Sequence, residues 1–152
     1  MAVEFQASKT RENLMRAFAG ESQARNRYTI AADPFSPRCT QATKSSSRTF
    51  PVCSSSARES QNVFLYKLSS PFVSDTATTI QIDGSYPVDH FDCVKKLLRA
   101  AEHNELQEFD DVYPAFGNIA REEGFAEEAA IIAHIQLQRF FPFFLCGIQC
   151  QI

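Results

Sequence analysis

Three glutamates occupy positions at which a helix is expected to carry apolar side chains. Apolar residues recur at three- and four-residue steps over 94–119, which predicts one face of a helix. Glu105 and Glu108 stand in register with this face, and Glu21 stands within the apolar face of an earlier predicted helix. A buried carboxylate costs several kcal/mol unless something pairs with it. Carboxylate ligands with a little imidazole suit iron or manganese. Taken alone, Glu21 also fits the edge of its apolar face.

The composition limits the other kinds of function. The chain has 152 residues, 44% of them apolar, which is enough for one domain with a core. A net charge of −3 argues against nucleic acid or an anionic membrane as the main partner, and no run reaches the length of a membrane span. The five cysteines include no C-x-x-C pair. The N-terminus lacks the apolar core of a signal peptide. Together with the cysteine pattern, this favours a reduced, cytoplasmic protein.

The first two thirds of the chain contain one clear helix and one irregular stretch. Residues 10–32 predict a helix with Thr10 as its N-cap. Residues 33–79 then hold four prolines and many serines and threonines, which predicts an irregular or disordered segment. Only 61–68 could form a short helix or strand there. An extended crossover with a turn at Asp83-Gly84 follows.

The last third predicts two more helices. One begins after Asp89 or Asp92 and runs to about Ala120, with a kink or restart at Pro114. Gly124 ends it, and a further helix begins near residue 125 and stops at Pro142. The fold class is therefore all-α.

Two blocks of sequence resemble rubrerythrin, a family of ferritin-like di-iron proteins. The blocks are SKTRENL at 8–14 with FAGESQARNRY at 18–28, and ELQE at 105–108 with YPAFGNIAREEGF at 113–125. The resemblance implies a four-helix bundle that holds two irons and reduces hydrogen peroxide to water, with rubredoxin or a similar protein as electron donor. Carried over by position, it assigns the following residues: as iron ligands Glu21, Glu105 and Glu108, and as tyrosines that orient those carboxylates Tyr28 and Tyr113. Both tyrosines also fit ordinary core packing, and no residue is assigned as catalytic.

The chain departs from the family where the other ligands should lie. Each of the second and fourth helices should supply Glu-x-x-His, but 33–79 contains no such motif, and Arg139 and Pro142 take the two positions in the last helix. We therefore expect a single ferritin-like domain over 1–152 that is incomplete, with its second helix disrupted, its fourth truncated and no C-terminal rubredoxin-like domain. The alternation of matching and unrelated blocks is typical of frameshifts, which retranslation of the coding DNA tests.

Three functional hypotheses follow from this pattern. The first is a rubrerythrin-like peroxidase, active in oxidative-stress defence but impaired in this chain. The second is a non-catalytic, partly folded helical remnant without a stable metal site, whose Glu105 and Glu108 are solvated or paired with Arg25 or Arg27. The third is a homodimer in which two chains complete one bundle. A rival apolar face formed by Leu98, Leu106, Phe109 and Tyr113 would favour the second, because it would turn both glutamates toward solvent.

Overall fold

The computed structural model describes residues 3–32, 46–69, 79–88 and 94–149. Five α-helices and one π-helical stretch form nearly all of this part of the chain. In chain order they are α1 (Lys9–Ala32), α2 (Ser46–Leu68), α3 (Val94–Gln107), the π segment (Glu108–Val112), α4 (Tyr113–Glu122) and α5 (Ala126–Gln149). A single 3-10 turn, Phe5–Ala7, precedes α1.

The helices form a four-helix bundle, because α3, the π segment and α4 follow one another without a break and act as one long helix. Helix α1 packs along α2, α4 along α5, and α2 against α5. Their shared core consists of Leu14, Ala17, Phe64, Leu68, Tyr113, Ala120, Ala129, Ile132 and Ile135. The described residues contain no β-strand. The predicted all-α, ferritin-like bundle is confirmed.

Helix α2 corrects the expectation that 33–79 is irregular. Residues 46–68 are helical even though Pro51 lies inside the helix. Ala57, Ser60, Phe64 and Leu68 are all buried and follow one another at steps of three and four residues. This face packs against the bundle, and its burial outweighs the one hydrogen bond that proline removes. Residues 33–45 and 70–78 lie outside the described residues.

Helix α5 corrects the second expectation, that the last helix is truncated at Pro142. It continues to Gln149, for a total of 24 residues. A proline inside a helix costs about 3 kcal/mol, a penalty that the rest of a long helix can offset. No helix in the described ranges is both long enough and apolar enough to cross a membrane.

An ion pair joins the end of α2 to the start of α5. Lys67 Nζ lies 2.5 Å from Glu127 Oε1 and 3.7 Å from Glu128 Oε1. A cation in the last turn of one helix and anions in the first turn of another are each favoured by the helix dipole. The contact therefore stabilises both helix ends as well as the joint between them.

Helix α1 begins at Lys9, so its N-cap lies two residues before the predicted cap at Thr10. The Ser8 hydroxyl oxygen accepts a hydrogen bond from the Arg11 N–H at 3.0 Å, so Ser8 is the N-cap. Thr10 is instead buried inside the first turn. Its hydroxyl donates to Glu123 Oε2 at 2.6 Å.

The turn between α4 and α5 forms as predicted around Gly124. This glycine has a φ of 89°, in the left-handed region that disfavours other residues. The Phe125 N–H donates to the Ala120 carbonyl at 2.8 Å, and the Gly124 N–H donates to the Arg121 carbonyl at 3.1 Å. These two bonds form a Schellman motif, which ends α4 and redirects the chain into α5.

Glu123, in the same turn, caps the start of α1 from a distant part of the chain. Its carboxylate accepts hydrogen bonds from the Lys9 N–H at 3.0 Å and from the Thr10 N–H at 2.8 Å, besides the Thr10 hydroxyl. Burial acts to raise the pKa of Glu123, but the hydrogen bonds from Thr10 and Lys9 outweigh it and lower this pKa below its ordinary value of 4.5. The ionised form is thus the one that holds the two helices together.

We expect the Glu123→Gln variant to lose about 1–2 kcal/mol of unfolding free energy at pH 7, the usual value of a helix cap. Because folding lowers the pKa of Glu123, its contribution is complete above pH 4.5 and is lost as the pH falls through the folded-state value. Urea unfolding at a series of pH values measures this. The difference between wild type and variant should shrink below pH 4.5, and a difference that stays constant would show that the carboxylate charge is not responsible.

Candidate functional site

The two best-buried glutamates lie on different helices, and each is held by a tyrosine of the other helix. Glu21 of α1 is 2% exposed, and its Oε1 accepts a hydrogen bond from the Tyr113 hydroxyl at 2.5 Å. Glu105 of α3 is 5% exposed, and its Oε1 accepts a hydrogen bond from the Tyr28 hydroxyl at 2.6 Å. The two bonds run in opposite directions between α1 and the third long helix of the bundle. Sequence-predicted residues from two distant blocks are therefore brought together.

The π segment accounts for the unequal spacing of these pairs. Glu21 and Tyr28 are seven residues apart, which places them on one face of an ordinary helix. Glu105 and Tyr113 are eight residues apart, a spacing that would turn them about 80° away from each other around a regular α-helix. The wider turn of the π segment takes up the additional residue and returns Tyr113 to the face of Glu105.

The same segment removes the rival apolar face. Glu105 is buried, whereas Leu106 is 41% exposed and Tyr113 is 3% exposed. A face through Leu106 and Tyr113 requires unbroken α-helical geometry between them, which the π segment interrupts. The side chain of Leu98 lies outside the described ones.

Glu108, the third predicted ligand, is the first residue of the π segment and is half-buried, with its Oε2 atom shielded from solvent. It lines a cavity of about 280 Å³. The cavity lies between α1, the continuous helix made of α3, the π segment and α4, and the segment 79–88. Glu21, Tyr113 and Arg27 line the same cavity. The lining residues of the cavity thus include carboxylates, phenols and guanidinium groups, and its volume suits a small polar molecule.

The segment 79–88 forms the outer wall of this cavity. It has neither helix nor strand, as the predicted crossover requires. The Gln23 side chain donates to the Pro87 carbonyl at 3.2 Å, and Arg16 Nε donates to the Asp83 carbonyl at 3.4 Å. Two side chains of α1 therefore fix the segment along the bundle.

The helices opposite the glutamates present apolar side chains. Phe64 of α2 is completely buried and lies parallel to the ring of Tyr113, with centroids 6.3 Å apart and an interplanar angle of 14°. From α5, Ile132 and Ile135 are buried. Arg139 and Pro142, the residues at the predicted ligand positions of the last helix, lie outside the described side chains.

The described residues do not fit a two-metal site. Among them, no three His, Cys, Asp or Glu side chains lie close enough together to hold one metal ion. The imidazoles of His103 and His134 are exposed. Arg25, one of the two arginines that the second hypothesis pairs with Glu105 and Glu108, donates to the Gln61 side chain at 3.4 Å. Of the predicted ligands, Glu21 and Glu108 line the cavity, and Glu21 and Glu105 accept hydrogen bonds from tyrosines. Their role as metal ligands stays a prediction.

The sequence analysis does not identify three residues that join the helices of the bundle: Phe64, Glu123 and Gln136. The Gln136 side chain of α5 donates to the Phe109 carbonyl within the π segment at 2.6 Å. Phe64 has a signal in the sequence, because it continues a three- and four-residue pattern from Ala57. Glu123 and Gln136 have none, since each bonds to groups that lie far away in the sequence.

Known proteins with similar sequences agree on one family. The sequence model of the family described as Rubrerythrin matches residues 12–138. The chain is 40% identical to Rubrerythrin-1 of Clostridium acetobutylicum over 124 residues, which cover 81% of this chain and 60% of that protein. It is 35% identical to rubrerythrin of Porphyromonas gingivalis over 135 residues, covering 89% of this chain and 62% of the relative. Rubrerythrin of Nitratidesulfovibrio vulgaris is 31% identical over 139 residues, with 88% and 65% covered. The chain thus spans about three fifths of the length of the relatives it matches.

Proposed function

Because the chain belongs to the rubrerythrin family, we propose that it is a non-haem iron oxidoreductase of oxidative-stress defence, whose substrate is hydrogen peroxide, and that its activity is impaired. The observation that carries the proposal is the reciprocal pair of hydrogen bonds, Tyr113 to Glu21 and Tyr28 to Glu105. These are the positions that the resemblance assigns to iron ligands and to the tyrosines that orient them.

The cavity supports the choice of a small oxidant. It reaches Glu21 and Glu108 and has a volume of about 280 Å³, which admits hydrogen peroxide and a few waters. The impairment follows from α2 and α5, whose buried Phe64 and Ile132 supply no oxygen or nitrogen ligand. With carboxylates from two helices only, we expect iron to bind weakly and singly.

The remaining parts of the proposal follow from the family and the composition. Residues 1–152 would form a single domain, which would be cytoplasmic and reduced by an electron donor such as rubredoxin. A homodimer could supply a second copy of each helix. None of these requires nucleic acid or a membrane.

The second candidate is a non-catalytic helical protein without a stable metal site. The stacking of Phe64 on Tyr113 favours it, because the ring fills space beside the glutamates with apolar atoms. In this case Tyr28 and Tyr113 would satisfy the carboxylates in place of a metal.

Iron content and peroxide turnover distinguish the two candidates. The purified chain is incubated anaerobically with excess Fe(II), desalted and assayed for iron, and peroxide consumption is then followed with reduced rubredoxin. The proposed function predicts less than one iron per chain and slow turnover that the Glu21→Gln and Glu105→Gln variants abolish. Two tightly held irons with rapid turnover would contradict the impairment. Turnover no faster than in the two variants, with no retained iron, would establish the non-catalytic candidate.

A further inference from the structure

The π segment is closely followed by a proline, which cannot continue the backbone hydrogen bonds of the π register. The Tyr113 N–H donates to the Glu108 carbonyl, five residues earlier, which is the π-helical register. The next bond in this register would run from residue 114 to the Phe109 carbonyl. Residue 114 is proline, which has no N–H to donate.

A side chain from another helix donates to that same carbonyl. Gln136 Nε2 lies 2.6 Å from the Phe109 carbonyl oxygen, across 27 residues of sequence. Both residues are half-buried, so the hydrogen bond is partly shielded from competing water. We infer that Gln136 is a positioning residue, whose amide replaces the N–H that Pro114 lacks and thereby holds the π segment in register.

The register matters because it aims two side chains of the candidate site. Glu108 opens the π segment and Tyr113 follows its last residue. A return to α-helical geometry would rotate Tyr113 by about 100° relative to Glu105, which is one residue's turn of a helix. The Tyr113 hydroxyl would then lose its hydrogen bond to Glu21 Oε1. Gln136 acts on Tyr113 through the backbone of the π segment, to which its side-chain amide donates.

The test uses Gln136→Met, which keeps the length of the side chain and removes the donor, with Gln138→Met as the control. Gln138 is exposed on the same helix. The whole chain is labelled with 3-fluorotyrosine, which gives one ¹⁹F NMR signal for each of four tyrosines, assigned by single substitutions to phenylalanine. We expect the Tyr113 signal to move in Gln136→Met and the signal of exposed Tyr66 to stay, with no change in the control. An unmoved Tyr113 signal, whatever happens to stability, would overturn the inference.

A double-mutant cycle with Pro114→Ala tests the replacement itself. Gln136→Met should lower Tm by about 2–6 °C, the usual effect of one lost hydrogen bond in a chain of this size. In the Pro114→Ala background the new backbone N–H at position 114 can serve the Phe109 carbonyl, so the same change should lower Tm by half as much or less. If Gln136→Met does not fold, adding Pro114→Ala should restore folding. Equal Tm losses in both backgrounds, or no rescue, would show that Gln136 does not stand in for the missing N–H.

Discussion

Replacing Phe64 with alanine should lower the free energy of unfolding by about 3–5 kcal/mol, the range for removing a fully buried phenylalanine. Phe64 is 0% exposed and belongs to the core that joins α2 to the other helices. The loss combines the transfer of an apolar ring to water with a cavity that helices can fill only in part. Since domains of ordinary size are stable by about 5–15 kcal/mol, this one change removes a large share of the total.

Urea unfolding of Phe64→Ala beside Leu65→Ala makes the measurement specific. Leu65 is the next residue on α2 and is 49% exposed, so its loss should cost no more than about 1 kcal/mol. The comparison decides whether 46–68 is an integral helix of the bundle or the irregular segment that the sequence predicts. Equal and small losses at both positions would mean that α2 does not pack through Phe64.

The sequence predicts the fold class because three long stretches of helical periodicity need a common core, yet it misjudges α2. Among the described side chains of α2, two of the four buried ones are Ala57 and Ser60, which carry little hydrophobic signal. Serine also lowers helix propensity, and Pro51 predicts a break. What forms the helix is contact with α1 and α5, and tertiary contacts of this kind leave no local pattern.

The candidate site shows the same limit at the π segment. The resemblance identifies Glu105 and Tyr113, and the periodicity identifies Glu105 as misplaced on an apolar face. Neither reveals how the two come to share one face, because the eight-residue spacing fits only after a π turn is inserted between them. Pro114 indicates an interruption there, but the sequence does not distinguish a kink from a π turn. The donor that completes the turn, Gln136, comes from another helix.

Tyr28→Phe and Tyr113→Phe should each lower the free energy of unfolding by about 1–3 kcal/mol, the penalty for taking one hydrogen bond from a buried carboxylate. Tyr28 and Tyr113 are each 3% exposed, and phenylalanine keeps their rings in place. The stacking of Tyr113 on Phe64 is therefore retained in Tyr113→Phe, whereas the hydrogen bond to Glu21 is lost. Tyr66→Phe is the matched control, since Tyr66 is 70% exposed and its change should stay within about 0.5 kcal/mol.

The same variants reveal whether the carboxylates depend on metal. If Glu21 and Glu105 are held chiefly by tyrosine, the cost of Tyr28→Phe and Tyr113→Phe should be the same with a chelator as with added Fe(II). If iron binds tightly to them, it stabilises the folded wild type by about 2.7 kcal/mol at a hundredfold excess over Kd, and a variant that binds iron with a different affinity gains a different amount, so the cost of the substitution changes with added Fe(II). Urea unfolding under both conditions separates the cases. A cost that differs between chelator and added Fe(II) would contradict the impaired site, because it requires a tightly held metal, to which the apolar side chains of α2 and α5 supply no ligand.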